Sequence, residues 1–126
     1  LHYLHGVNPL ATVYLTNMNR HGATRSLTQM YHAWFCDGSP LWDCVGVSPY
    51  GPPPGYLVGG SYAHFRTEQS EDALRRAREL SLPSGLPPAR MYADYNTSWP
   101  LNSWELSEPS GAYQIAYIRL LSKYVR

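Results

Sequence analysis

The run from Gly46 to Gly60 contains Pro49, Gly51, Pro52, Pro53, Pro54, Gly55 and Gly59, and no long helix or strand survives that density of chain breakers. It continues the turn signal Asp37-Gly38-Ser39-Pro40, so the middle of the chain is expected to be a long loop. Long ordered loops carry function more often than other connections. Regular structure is therefore confined to what lies on either side.

Before the loop, Leu1 to His5 reads as the last turn of a helix, with Gly6 as its left-handed cap and Pro9 beyond. Thr12 to Thr16 is a short run of β-branched and aromatic residues that suits a strand or extended loop. Ser26 to Phe35 spaces Leu27, Met30, Tyr31 and Trp34 as a short helix would, with Ser26 or Thr28 as cap.

After the loop, Ser70 caps a clearer helix in which Ala73, Leu74, Ala77 and Leu80 form the apolar stripe. Pro83 and Gly85 end it. The pairs Glu71/Arg75 and Asp72/Arg76 make its arginine run a solvated face. A last helix is expected from about Pro109 to Tyr124, with Ser107 as cap and Pro109 in the first turn. It is apolar almost all the way round, and such a helix is normally surrounded by others. This chain offers too few helices to surround it.

Composition narrows the function classes. The 126 residues carry a formal charge of +1, which removes generic nucleic-acid clamps. Hydrophobic residues make up 44% and charged residues 15%, too apolar and too weakly charged for a disordered segment. No apolar run approaches the ~18 residues of a membrane span, and Leu1 is not the start of a signal peptide. The five His fall into no zinc-binding spacing, and there is no phosphate cradle, dinucleotide fingerprint or nucleophile elbow.

The 11 Tyr and 4 Trp are the excess to explain. Trp34, Trp42, Tyr50, Tyr56, Trp99 and Trp104 lie in or beside loops, where flat rings stack on the C–H faces of pyranose sugars. A packed aromatic core fits equally well. Glu105 and Glu108 lie between the aromatic loop and the last helix. A carboxyl held against indoles resists ionisation, as a general acid must near neutral pH, whereas a helix-capping role is the plainer alternative and suits Glu108. Asp94 and the Asp37/Asp43 pair could bind sugar hydroxyls, order turns or hold a structural Ca²⁺, although no EF-hand spacing exists. His32 sits between Tyr31 and Trp34, as a packing histidine often does. Cys36 and Cys44 would close a small disulfide loop in an exported protein and remain two thiols in a cytosolic one. Asn96-Thr97-Ser98 fits a glycosylation acceptor, a pattern too short to decide anything.

Several ordered blocks resemble glycoside hydrolase family 9, the inverting cellulases. They are Leu1-His2-Tyr3-Leu4-His5-Gly6-Val7-Asn8-Pro9-Leu10 with Val13 to Met18, then Tyr31-His32-Ala33-Trp34-Phe35, then Gly51 to Gly60. The last are Tyr92-Ala93-Asp94-Tyr95-Asn96 and Trp99-Pro100-Leu101-Asn102-Ser103-Trp104-Glu105-Leu106-Ser107-Glu108-Pro109. The resemblance covers nearly the whole chain in the family's order. It implies an all-α fold, residues 1–126 forming the C-terminal portion of an (α/α)6 barrel with long Pro/Gly-rich loops. It implies hydrolysis of β-1,4-glucosidic bonds in cellulose, β-glucan or cellodextrins with inversion.

Residue by residue, Glu105 matches the family's general acid, with Glu108 as runner-up, and Asp94 the acidic residue that organises the site. His32 matches a histidine that contacts sugar hydroxyls, and Trp34, Trp42, Tyr56, Trp99 and Trp104 are the expected sugar platforms. Two departures stand out: Trp34 replaces an Arg two residues after the histidine, and Ser103-Trp104 separates Asn102 from Glu105. The family's general base is an Asp in an Asp/Gly-rich block, and no such block exists here. Inversion requires acid and base carboxyls roughly 6.5–9.5 Å apart with water between them. This chain is therefore expected to be a piece of a secreted or periplasmic enzyme, inactive alone and completed by the missing N-terminal part. No cofactor is expected. A non-catalytic carbohydrate-binding module is the rival reading.

Overall fold

A computed structural model describes residues 1–32 and 51–125. In chain order its elements are strand β1 (Val13–Thr16), a 3-10 turn (Asn19–His21), strand β2 (Ser26–Leu27), helix α1 (Glu71–Glu79), a second 3-10 turn (Pro88–Arg90), and helices α2 (Trp104–Ser107) and α3 (Gly111–Leu121). This overturns the all-α expectation, and with it the portion of an (α/α)6 barrel. The three α-helices have 9, 4 and 11 residues, and the sheet has two strands. A barrel of that kind is made by helices packing on helices. Among the described residues the one extensive element-to-element packing is β1 on β2.

The physical centre is β1, and the Pro/Gly segment is stitched to it. β1 pairs parallel with β2 through Val13 opposite Ser26 and Thr16 opposite Leu27. On its other side Leu15 bridges Leu57 antiparallel, and Val58 in turn bridges Pro109. Thr16 is fully buried. Its hydroxyl donates to Pro53 O at 2.6 Å and accepts from Tyr56 N at 3.1 Å, while its backbone N–H donates to Tyr56 O at 2.9 Å. Asn17 Nδ2 donates to Pro52 O at 2.8 Å. Prolines offer carbonyls but no N–H, so a segment this rich in them is fixed by donors from elsewhere.

The core around β1 is aromatic. The Tyr14 ring packs edge-on against Tyr92, with centroids 5.2 Å apart, and stacks with Tyr3 at 6.1 Å. Leu15, Leu27, Val58, Leu101 and Leu106 complete it. Each such side chain stabilises the fold by about 1.5–3 kcal/mol on leaving water.

Self-contained local signals agree with the structure. The strand at Thr12 to Thr16 appears as β1, and Ser70 caps α1 by accepting from Ala73 N at 3.3 Å. His5 N donates to Leu1 O at 3.1 Å and Gly6 adopts a positive φ of 102°, so the opening stretch is one turn with its glycine stop. Within α1, Arg75 pairs with both Asp72 and Glu79, which replaces the expected Glu71/Arg75 and Asp72/Arg76 pairing.

Two expected helices differ. At Ser26, β2 forms and residues 28–32 adopt no helix. The Ser26 hydroxyl accepts from Met18 N at 2.9 Å and donates to Asn19 Oδ1 at 2.6 Å, so it caps nothing. The last helix starts at Gly111, capped by Ser110 accepting from Tyr113 N at 3.1 Å. Ser107 lies buried in α2, its single hydroxyl proton shared between Tyr95 O and Ser103 O, each 3.0 Å away. No residue of α3 is buried. Polar contacts pin it: Gln114 takes both the N–H and the carbonyl of Leu57, at 2.9 and 2.7 Å, and Tyr117 Oη meets His5 Nε2 at 2.8 Å.

Candidate functional site

The candidate site residues of the C-terminal half stand on one folded segment, 94–108. Ser98 O accepts from Leu101 N at 3.0 Å and Asn102 N at 3.2 Å, and Ser103 N donates to Thr97 O at 2.9 Å. The buried Tyr95 hydroxyl donates to Leu101 O. Asn102 takes a positive φ of 56°, a conformation that asparagine tolerates better than most residues. The loop thus closes on itself and leads directly into α2. Its two tryptophans reach solvent, Trp99 72% exposed and Trp104 45% exposed.

Glu105, in the first turn of α2, is half-buried, and its Oε2 accepts the backbone N–H of Arg66 at 3.1 Å. Asn102 Nδ2 donates to the carbonyl of Arg66 at 2.9 Å. The backbone of Arg66 is held at both ends by side chains of this one loop. Of the indoles expected to desolvate Glu105, Trp99 lies largely in solvent and Trp104 is partly exposed. The negative charge of Glu105 is felt at Tyr95, whose phenol is pushed well up, first by burial and then by that charge.

Asp94 accepts from Thr28 N and Thr28 Oγ1 at 2.8 Å each and from Gln29 N at 3.0 Å. Part of the residue reaches solvent, but enough protein crowds the carboxylate for desolvation to raise its pKa, and the three donors offset part of that rise. Both oxygens serve protein donors that order the segment after β2. Among the described residues, Asp94 and Glu105 share no hydrogen-bond partner. Glu108 is exposed at the end of α2; its carbonyl accepts from Gly59 N at 3.1 Å. Helix α3 is capped by Ser110 in place of Glu108.

His32 is half-buried, next to Tyr31, whose N–H donates to Ser107 O at 3.1 Å. That contact brings the His32 segment against the end of α2. Tyr56 is half-buried and anchored through its backbone to Thr16. Trp34, Trp42, Tyr50, the Asp37/Asp43 pair and Cys36 and Cys44 lie outside the described residues. Among the described residues no group of three or more His, Cys, Asp and Glu is placed to hold a metal ion, and no helix is long and apolar enough to cross a membrane.

Sequence reasoning missed Arg66 and Gly59. Gly59 and Gly60 donate to Glu108 O and Leu106 O, at 3.1 and 2.8 Å, so the glycine pair lies flat against α2. A Cβ on Gly59 would stand 3.2 Å from Leu106 O. The double glycine was the available signal, since backbone approaching backbone so closely leaves little room for a side chain. No family model matches the chain, and neither a curated protein nor a solved structure matches it.

Proposed function

We propose that this chain is part of a β-glucan hydrolase that cleaves β-1,4-glucosidic bonds with inversion, supplying the general acid and part of the sugar-binding surface. The observation that carries this reading is a carboxylate, Glu105, fixed by the Arg66 N–H on a loop that presents Trp99 and Trp104 to solvent. Exposed indoles supply flat apolar faces for pyranose rings, and a positioned carboxyl can protonate the departing glycosidic oxygen. The order of sequence blocks that resemble family 9 supports the same substrate class.

The base carboxylate is supplied by the remainder of the enzyme, which also covers the apolar side chains that α3 leaves in solvent. Alone, the chain binds glucan weakly and does not turn it over. Glu105 and Glu108 divide the acid role differently: Glu105 already serves a backbone donor, whereas Glu108 is exposed and makes no side-chain hydrogen bond among the described residues.

The test is cellodextrin hydrolysis and binding by the chain and its variants. Binding that falls roughly tenfold in Trp99→Ala or Trp104→Ala supports a sugar platform, since one buried aromatic contact is worth about 1.5–3 kcal/mol. Turnover by the pure chain, abolished by Glu105→Gln or Glu108→Gln, would overturn the proposed incompleteness and identify the acid. The exposed indoles also suit a non-catalytic carbohydrate-binding module, for which affinity survives both Gln variants and no partner restores hydrolysis.

A further inference from the structure

A cleft of about 500 Å³, with Arg66 on its wall, opens between α1 and residues 63–69. That is within the ~300–1,000 Å³ range of small-ligand sites. Its walls combine apolar side chains, Leu74 and Leu82 among them, with Thr67, Gln69, Arg66 and Arg78. The charge distribution on α1 is uneven. Arg75 takes both Asp72 and Glu79, and among the described residues neither Arg66 nor Arg78 has a carboxylate partner for its side chain. Arg66 is also set on a backbone that Glu105 and Asn102 hold at both ends, so its Cα is fixed relative to the candidate acid.

We propose that this cleft binds a carboxylate-bearing sugar unit, a uronic acid residue of the polysaccharide chain, next to the bond-cleaving position. This rests on the hydrolase reading and adds to it a substrate class, a glucan carrying acidic sugars. The apolar wall suits a pyranose face, Thr67 and Gln69 suit its hydroxyls, and two guanidiniums suit its carboxylate.

The experiment compares binding of cellohexaose with that of its C6-oxidised, glucuronosyl counterpart, by calorimetric titration at low and high salt. Exposed ion pairs contribute modestly, so the oxidised ligand is expected to bind roughly three- to tenfold more tightly at low salt. The preference should fade at high salt and vanish in the Arg66→Gln/Arg78→Gln double variant. Each single variant should lose part of it, which keeps the test open if the double variant unfolds. Equal affinity for the two ligands, or a preference that survives both substitutions, overturns the acidic-sugar site and leaves the hydrolase reading standing. Failure of both ligands to bind overturns both.

Discussion

The carboxylate of Glu105 accepts the backbone N–H of Arg66 at 3.1 Å, across 39 residues of chain. Glutamine keeps an acceptor oxygen at that position and alanine does not. Glu105→Ala is therefore expected to lower stability by about 0.5–1.5 kcal/mol, the usual net worth of one hydrogen bond, and Glu105→Gln by much less. Urea midpoints of the two variants check this. Equal losses would mean that the Arg66 contact contributes nothing and that Glu105 is free for other roles.

Asp94 makes a comparable prediction at the other end of the loop. Its carboxylate serves Thr28 N, Thr28 Oγ1 and Gln29 N, so Asp94→Ala leaves two backbone N–H groups to find water. The expected cost is about 1–2 kcal/mol, with faster amide hydrogen exchange at Thr28 and Gln29. Exchange rates that stay unchanged at those two residues would show that the segment is ordered by something else.

These two carboxylates show why the sequence was only partly legible. Ser70 as a cap was readable because its partner, Ala73, is three residues away. Asp94 is 66 residues from Thr28, and no local pattern connects them. The Ser26 segment has helical spacing, yet the donors of a first helical turn are taken by Asp94 and the Ser26 hydroxyl by residues 18 and 19. Tertiary hydrogen bonds overrode propensity there. In the candidate site, the nearness of Trp99, Trp104 and Glu105 along one segment was readable from their order, whereas the exposure of the indoles was not. The clamp on Arg66 was not, because it uses a backbone N–H and carbonyl that any residue type would supply.

Gly59 offers a test of close packing. Alanine is permitted by its backbone, but the added Cβ would stand 3.2 Å from Leu106 O, tighter than ordinary contact. With α2 also held through Gly60 N and Ser107 Oγ, the neighbour has little freedom to retreat. A destabilisation of about 1–3 kcal/mol is expected from this overpacking, measured by thermal or urea unfolding. A neutral or stabilising Gly59→Ala would show that α2 shifts readily and that the glycine pair is not required for the approach.

Alkaline pH should unfold the chain through its buried phenols. Tyr14, Tyr92 and Tyr95 all have pKa values raised above the ordinary 10.0, chiefly by burial. The folded state therefore holds these protons where the unfolded chain has released them. Stability is fully present below pH 10 and declines as pH rises above it. Tyrosinate absorbance followed together with circular dichroism should show a group of phenols that ionise only as the fold is lost. Smooth ionisation of every tyrosine with native dichroism retained would contradict the burial.

Helix α3 carries the last prediction. Ile115 and Ile118 are 61% and 62% exposed, and Tyr113, Leu120, Tyr124 and Val125 are exposed with them on one short stretch of chain. Apolar side chains grouped in this way mark an interaction surface or an aggregation hazard. The helix does not depend on these residues for its attachment, which runs through Gln114 to Leu57 and Tyr117 to His5. Replacing Ile115 and Ile118 together by Lys should therefore leave the fold and its melting temperature nearly unchanged while reducing binding of an environment-sensitive apolar dye and raising solubility. If the double substitution unfolds the chain, the two isoleucines contribute to its own core; if dye binding is unaffected, the exposed apolar surface lies elsewhere. Gln114→Ala is the complementary variant, expected to release α3 from Leu57 and to lower stability by about 1–3 kcal/mol through two backbone groups left without partners.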